Sequence, residues 1–278
     1  MPSHVSSVNT SAQLLALASQ PDPERRFGGL RRLHGEAAYA RLRGARVAVV
    51  GVGGVGSWTA EALARSGVAS LTLIDLDHIA ESNINRQVHA LASTIGQAKV
   101  QALRERIALI HPDCVVHTVE EFVDEANVAA LLQAQDIDGV IDCCDQVRAK
   151  AALAAWAWAH RRPLVCVGAA GGKVHPQQVE VADLAEVTHD PLLASLRQRL
   201  RQRHDGPRKG PMRVRCVFSR EAVRPPQDGL CEVDDGQGQG GRGGDGSLNC
   251  AGYGSSVMVT ATFGMVAAAS LVDALLAA

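Results

Sequence analysis

The sequence predicts an α/β fold of the doubly wound kind: a mainly parallel sheet with helices on both faces, carrying an antiparallel extension towards the C-terminus. Three observations predict it. Short β-branched runs alternate with alanine-rich stretches of helical character; the first run ends in a glycine-rich turn; and after Gly168 the character changes to an alternating pattern.

The elements follow in order. Residues 1–22 are small and polar without sustained periodicity, which predicts a flexible N-terminal arm. From 23 to 278 the pattern predicts one domain. A basic segment from Pro23 to Arg43 places Leu30, Leu33 and Ala37 at helical spacing and leads into the core. Arg46 to Val50 reads as a buried parallel strand, and Ser57 to Arg65 as the helix after it. Further strands are expected at 70–75, 114–119, 139–145 and 163–168, with helices between them. GGKVHPQQVEVADL, starting at Gly171, alternates like an exposed antiparallel strand. Positive charge is concentrated from Arg197 to Arg215, and residues 236–246 form a low-complexity glycine-rich loop. The stretch from Tyr253 to Ala278 is long and apolar enough to span a membrane, yet it holds several Ser and Thr and Asp273 and has no flanking basic anchors. A buried core helix, with no membrane insertion, is the expectation.

Composition narrows the function classes. A formal charge of -1 excludes a globally basic coat for nucleic acid, so any such partner must meet a local patch. Seven cysteines, an odd number with no C-x-x-C pair, read as reduced thiols and not as a zinc site. No basic stretch followed by an apolar run and a cleavage site opens the sequence, which predicts a cytoplasmic protein.

GVGGVG places Gly51, Gly53 and Gly56 in the G-x-G-x-x-G positions between a strand and a helix, the Rossmann-type arrangement. There backbone N–H groups can approach a phosphate at a helix N-terminus. Asp75, at the end of the next strand, is placed to accept hydrogen bonds from ribose hydroxyls. This much suits NAD as well as ATP. The downstream residues favour ATP, because Asp77, SNINRQ (82–87), GQAK (96–99) and DCCD (142–145) supply cations and carboxylates that a dinucleotide does not need. Arg86 and Lys99 can neutralise a triphosphate, Asp142 and Asp145 reach a strand's C-terminal end, and Asp145 can hold magnesium.

GVGGVGSWTAEALARSGV, LIDLDHIAESNINRQ, IGQAK and VIDCCDQV, in that order and spacing, resemble the ubiquitin-activating-enzyme-like superfamily, which includes the molybdopterin and thiamine adenylyltransferases. The resemblance implies ATP and Mg2+ held by Gly54, Asp75, Asn83, Arg86, Lys99 and Asp145, with Asn85 in the same segment. RRFGGLRRLHGEAA (25–38), QVHAL (87–91), GAAGG (168–172), DPL (190–192), CVFSREAV (216–223) and ATFGMVAA (261–268) go further. They resemble the tRNA threonylcarbamoyladenosine dehydratases from about residue 23 to the C-terminus.

That resemblance implies transfer of AMP to the threonyl carboxylate of a hypermodified adenosine beside the anticodon. Attack by the ureido oxygen would then release AMP and close an oxazolone-type ring. It further implies tRNA as partner and a homodimer. Independently, the density of positive charge at Arg197, Arg199, Arg201, Arg203, Arg208, Lys209, Arg213 and Arg215, without balancing acids, suits contact with a phosphate backbone better than a merely solvated helix face. Cys250 stands where relatives present a sulfur-handling cysteine, either as a thiol served by a cysteine desulfurase and its acceptor or as a small buried residue. Cys143 and Cys144 read as packing. Relatives often carry R-x-x-R-Q before the glycine loop, the second arginine reaching the partner subunit's ATP. That position is Gly29 here, leaving Arg25, Arg31 or Arg32 as substitutes. Two alternatives compete: adenylation of a ubiquitin-like sulfur carrier, and an NAD-binding oxidoreductase.

Overall fold

The computed structural model describes residues 21–225 and 253–277. Asp22 caps the first helix, α1 (Pro23–His34), by accepting from the N–H groups of Glu24 and Arg25, and Pro23 opens it where its missing N–H costs nothing. Gly35, at φ 84°, breaks the expected single basic segment into α1 and α2 (Glu36–Gly44). The pair buries Phe27, Tyr39 and Leu42, whereas Leu33 is 73% exposed and Ala37 is also exposed. Of the stripe read from the sequence only Leu30 packs, half-buried against the core, while Leu33 and Ala37 face outward.

The rest is an alternation of β1 (Arg46–Val50), α3 (Gly56–Arg65), β2 (Ser70–Ile74), α4 (Lys99–Ile110), β3 (Val115–Val119), α5 (Val128–Gln133), β4 (Gly139–Asp142), α6 (Val147–His160), β5 (Leu164–Val167), β6 (Val179–Asp183), α7 (Pro191–Arg203), β7 (Arg215–Ser219) and α8 (Val257–Ala277). Among the described residues these strands form one sheet in the order β3-β2-β1-β4-β5-β7-β6. All neighbours run parallel except β6, which is antiparallel to β7. The antiparallel extension is thus a single edge strand, and β7 lies between it and β5.

Period-two alternation sends successive residues to opposite faces. Val47, Val49, Leu71, Leu73, Ile141, Val165 and Val217 point to one side, where α3, α4 and α8 cover them. Ala48, Val50, Ile74, Val140, Cys166 and Phe218 point to the other, beneath α5, α6 and α7. The helix α8 is long and apolar enough to cross a membrane, but it packs Val259, Phe263, Ala267 and Leu271 into the first of these layers. Gly264 permits the close approach to α3: a Cβ there would stand 2.7 Å from the carbonyl oxygen of Val55.

Candidate nucleotide site

The sheet reverses its winding between β1 and β4, and a crevice of about 300 Å³ opens outside the C-terminal ends of these strands. This is where open α/β sheets bind ligands. The turn after β1 brings Gly51, Gly53 and Gly54 to its wall. Gly51 has φ 78° and lies so close to the turn after β4 that a Cβ would be 2.8 Å from the backbone N of Cys144. Gly56 does not line the crevice. A Cβ there would be 1.8 Å from the carbonyl oxygen of Gly51, so its role is close packing of α3 on the loop and not ligand contact.

Asp75 braces this loop. Its Oδ2 accepts the Val52 N–H at 2.7 Å and its Oδ1 the Asp77 N–H at 2.9 Å, leaving further lone pairs for a ribose. Burial raises the Asp75 pKa, and the charge of Lys99 opposes that rise. Lys99 opens α4, is 6% exposed, and places Nζ 2.7 Å from Asp77 Oδ2. Beneath it His89 is buried with neither ring nitrogen partnered among the described residues, and burial first, then Lys99 and Arg106, lowers its pKa to about 4.

The Asn83–Gln87 segment is clamped from two sides. Trp58 Nε1 on α3 and Thr260 Oγ1 on α8 both donate to the Arg86 carbonyl oxygen, at 3.0 and 3.3 Å, and Asn83 Oδ1 accepts from Ala80 N–H. Arg86 lines the crevice, its guanidinium donating to Ser82 O and Asn85 Oδ1 with no carboxylate partner among the described residues. Burial lowers its pKa. Asn85 is exposed and donates to Ser255 O; it lies outside the crevice wall and orients Arg86.

Of the two aspartates expected after β4, only Asp145 lines the crevice, without an ion pair among the described residues. Asp142 is fully buried below it and paired with Lys150, so it is withdrawn as a ligand contact. Cys143 and Cys144 border the crevice, and burial raises both thiols, Cys143 to about 12. Asp145 presents hard oxygen to the crevice, and Mg2+ is commonly held by one carboxylate together with substrate phosphates. The residues present fit that ion.

A family model described as "ThiF family" matches residues 26–278. The chain belongs to the ThiF family. Among curated ThiF-type relatives, the tRNA threonylcarbamoyladenosine dehydratase of Escherichia coli is 46% identical over 246 residues, 87% of this chain and 90% of that protein. The Haemophilus influenzae protein of the same description is 41% identical over 256 residues, covering 91% and 94%. The crystal structure of the E. coli dehydratase in complex with ATP superposes with a TM-score of 0.80 at 42% identity, covering 91% of this chain and 95% of that one.

Several residues of this ThiF-family crevice escaped the sequence reading. Gln87 is buried, lines the wall and leaves Oε1 without a partner among the described residues; Thr260 and Ser255 come from the distant C-terminal part; Phe122 stands half-exposed at the rim. Gln87 was visible as the end of SNINRQ, but nothing in sequence marks the others.

The basic segment divides. Arg197 donates to the carbonyl oxygens of Leu184 and Val187, Arg215 to that of Ser270, and Arg199 pairs with Glu125 at 3.1 Å, so these three serve the fold. Arg201 uses only Nε, on Pro207 O, while Arg203, Arg208, Lys209 and Arg213 are exposed. Among the candidates for a partner-facing arginine, Arg31 is engaged by Glu24 and Glu36, whereas Arg25 and Arg32 are exposed. Cys250, the 236–246 loop and residues 1–20 lie outside the described residues.

Proposed function

We propose that this chain is an ATP-dependent tRNA threonylcarbamoyladenosine dehydratase. The observation that carries the reading is the convergence of Arg86, Lys99, Asp75 and Asp145 on one crevice at the sheet's switch point. Similarity to dehydratases along nearly the whole chain supports it. A hydride-transferring site would leave Lys99 and Asp145 without a task.

In this mechanism Gly53 and Gly54 bring backbone against the phosphates, and Asp75 accepts from the ribose hydroxyls. A threonyl carboxylate oxygen attacks the α-phosphorus; its bond to phosphorus forms as the bond to pyrophosphate breaks. Arg86 and Lys99 stabilise the charge that develops on the departing pyrophosphate. Magnesium, held by Asp145 and the phosphates, would add Lewis-acid neutralisation of those oxygens. The ureido group of the same nucleoside then attacks the activated carbonyl, AMP departs carrying the former carboxylate oxygen, and the ureido proton passes to solvent. The net change on the nucleoside is loss of one water. Because the attack is intramolecular it needs no enzyme thioester, effective molarities for such closures reaching about 10⁵ M or more.

Arg201, Arg203, Arg208, Lys209 and Arg213 are the residues proposed to meet tRNA phosphates, and a homodimer in the cytoplasm is the proposed state. A cysteine desulfurase system is the partner class to test against Cys250.

The test is mass spectrometry of nucleosides from tRNA bearing threonylcarbamoyladenosine, incubated at mild pH with the protein and magnesium ATP beside a Lys99→Ala control. ATP-dependent loss of one water, absent in the control, is expected. No mass change, together with adenylation of a diglycine-tailed carrier protein, would replace this reading with the sulfur-carrier one.

A further inference from the structure

Lys150 lies on α6 outside the crevice, and both it and Asp142 are 0% exposed. Its ammonium donates to three oxygens: Val167 O at 2.7 Å, Asp142 Oδ2 at 3.2 Å and Asp142 O at 3.4 Å. Asp142 and Val167 are the last residues of β4 and β5, neighbouring parallel strands. One buried cation therefore stitches together the two strand ends from which the crevice-lining turns Cys143–Gln146 and Gly168–Gly171 depart.

The stitching extends into the turns. Asp142 Oδ1 accepts from the Cys144 N–H at 3.2 Å and from the Cys144 thiol at 2.8 Å, and Oδ2 accepts from the Cys166 thiol at 3.3 Å. The glycine loop rests directly on the first turn, since Cβ positions built at Gly51 and Gly56 fall 2.8 Å from Cys144 N and 3.2 Å from Cys143 Cβ. A shift of that turn has no slack to absorb it and passes to the loop that holds phosphates.

Stability alone is a poor reason for such a pair. Desolvating two charges offsets much of their attraction, and apolar side chains of like volume often serve a core as well or better. What apolar side chains cannot supply is directional hydrogen bonding to two strand ends at once.

We propose that Lys150 is a positioning residue for nucleotidyl transfer, fixing through Asp142 and Val167 the two turns that present Asp145 and the Gly168–Gly171 backbone to the nucleotide. The inference rests on the dehydratase reading for its chemistry, but not for its geometry. Displacement of reacting groups by about 1 Å can cost about 100-fold in rate.

The experiment compares Lys150→Met with Leu196→Ala, a cavity variant in the α7 core, chosen as a stability control and compared at matched distance below the thermal midpoint. Expected for Lys150→Met is a fall in kcat for AMP formation of about tenfold or more with KM for ATP changed less than about threefold, together with faster hydrogen exchange at the amides of 143–146 and 168–171. Leu196→Ala should show neither. Asp142→Asn, isosteric and neutral, is read the same way where Lys150→Met fails to fold, with the same directions expected. Equal kcat losses in the Lys150 and Leu196 variants, or unchanged exchange in the two turns, would overturn the proposal. Wild-type protein runs beside them. Absence of wild-type turnover would defeat the dehydratase reading alone, and the exchange data would still decide the role of Lys150.

Discussion

Replacing Lys99 by methionine removes the buried cation of the crevice while keeping much of its volume. Two unit charges about 4 Å apart at an effective dielectric of about 20 interact by about 4 kcal/mol. A transition state that develops about half a charge on the pyrophosphate near Nζ therefore loses about 2 kcal/mol, about 30-fold in kcat. Lys99 also acts on a second group. Burial raises the Asp75 carboxyl and Lys99 holds it down, so loss of Lys99 lets the carboxyl rise further. The ionised carboxylate, which accepts the Val52 N–H, then forms only at higher pH, and the acid limb of the kcat/KM profile moves upward. The assay is pyrophosphate release with modified tRNA and magnesium ATP across the acid range, on wild type and Lys99→Met. A loss below about threefold with an unmoved acid limb would refute the placement of Lys99 beside both the phosphates and Asp75.

Three further outcomes follow from the same geometry. His89 is depressed to about 4 from an ordinary 6.5, so the unfolded chain binds its proton more readily; its contribution, on the order of 3 kcal/mol, is complete above about 6.5 and is lost as pH falls towards 4. Urea midpoints measured across that window should fall steeply for wild type and less for His89→Gln. Gly56→Ala, with a Cβ 1.8 Å from Gly51 O, should cost about 1–3 kcal/mol in thermal unfolding and abolish the rise in Tm that ATP gives. Changing Arg203, Arg208 and Lys209 together to Gln should reduce the salt dependence of tRNA binding by about 2 to 3 in log-log slope, whereas Arg197→Gln, which strips the donor from Leu184 O and Val187 O, should lower stability and leave the slope intact.

Much of the sheet was legible because its central strands are buried on both faces and so read as continuous apolar runs, while the half-exposed edge strands β3 and β6 show mixed or alternating patterns; each expected run overlaps an observed strand. Helix faces were less so: Leu30, Leu33 and Ala37 have the right spacing, but α1 and α2 are separate helices and Phe27 and Tyr39 carry the packing. The strand β7 was hidden because it follows an arginine-rich stretch, and its insertion between β5 and β6 depends on a crossover that periodicity does not encode. Within the crevice Gly51, Gly53, Asp75, Lys99 and Asp145 are legible because they sit beside strand ends and helix starts, whereas Arg86 lies in a loop and is legible only through the SNINRQ motif. Asp142 was misplaced because strand pleating turns adjacent residues to different surroundings, so a strand's last residue can be sealed while the turn after it opens. Thr260 and Ser255 reach the site from more than a hundred residues away along the chain, and only the packing of α8 on α3 brings them there.

The charges around the crevice lead to one last prediction. Arg86 and Lys99 face Asp75, Asp77, Glu121 and Asp145, so among the described residues the lining is net negative with all groups ionised, and it stays negative with Asp75 protonated. Lys99 is moreover engaged by Asp77 at 2.7 Å, an attachment that a phosphate must displace or share. A bare triphosphate therefore meets a surface that repels it, while a nucleoside monophosphate brings much less charge to the same glycine loop. Calorimetry in chelator should show AMP binding more tightly than ATP, and added magnesium should reverse the order by neutralising both the triphosphate and Asp145. Tight metal-free ATP binding would mean that a cation from outside this protomer's crevice completes the site. An arginine from a second copy of the chain, at Arg25 or Arg32, is then the residue to replace.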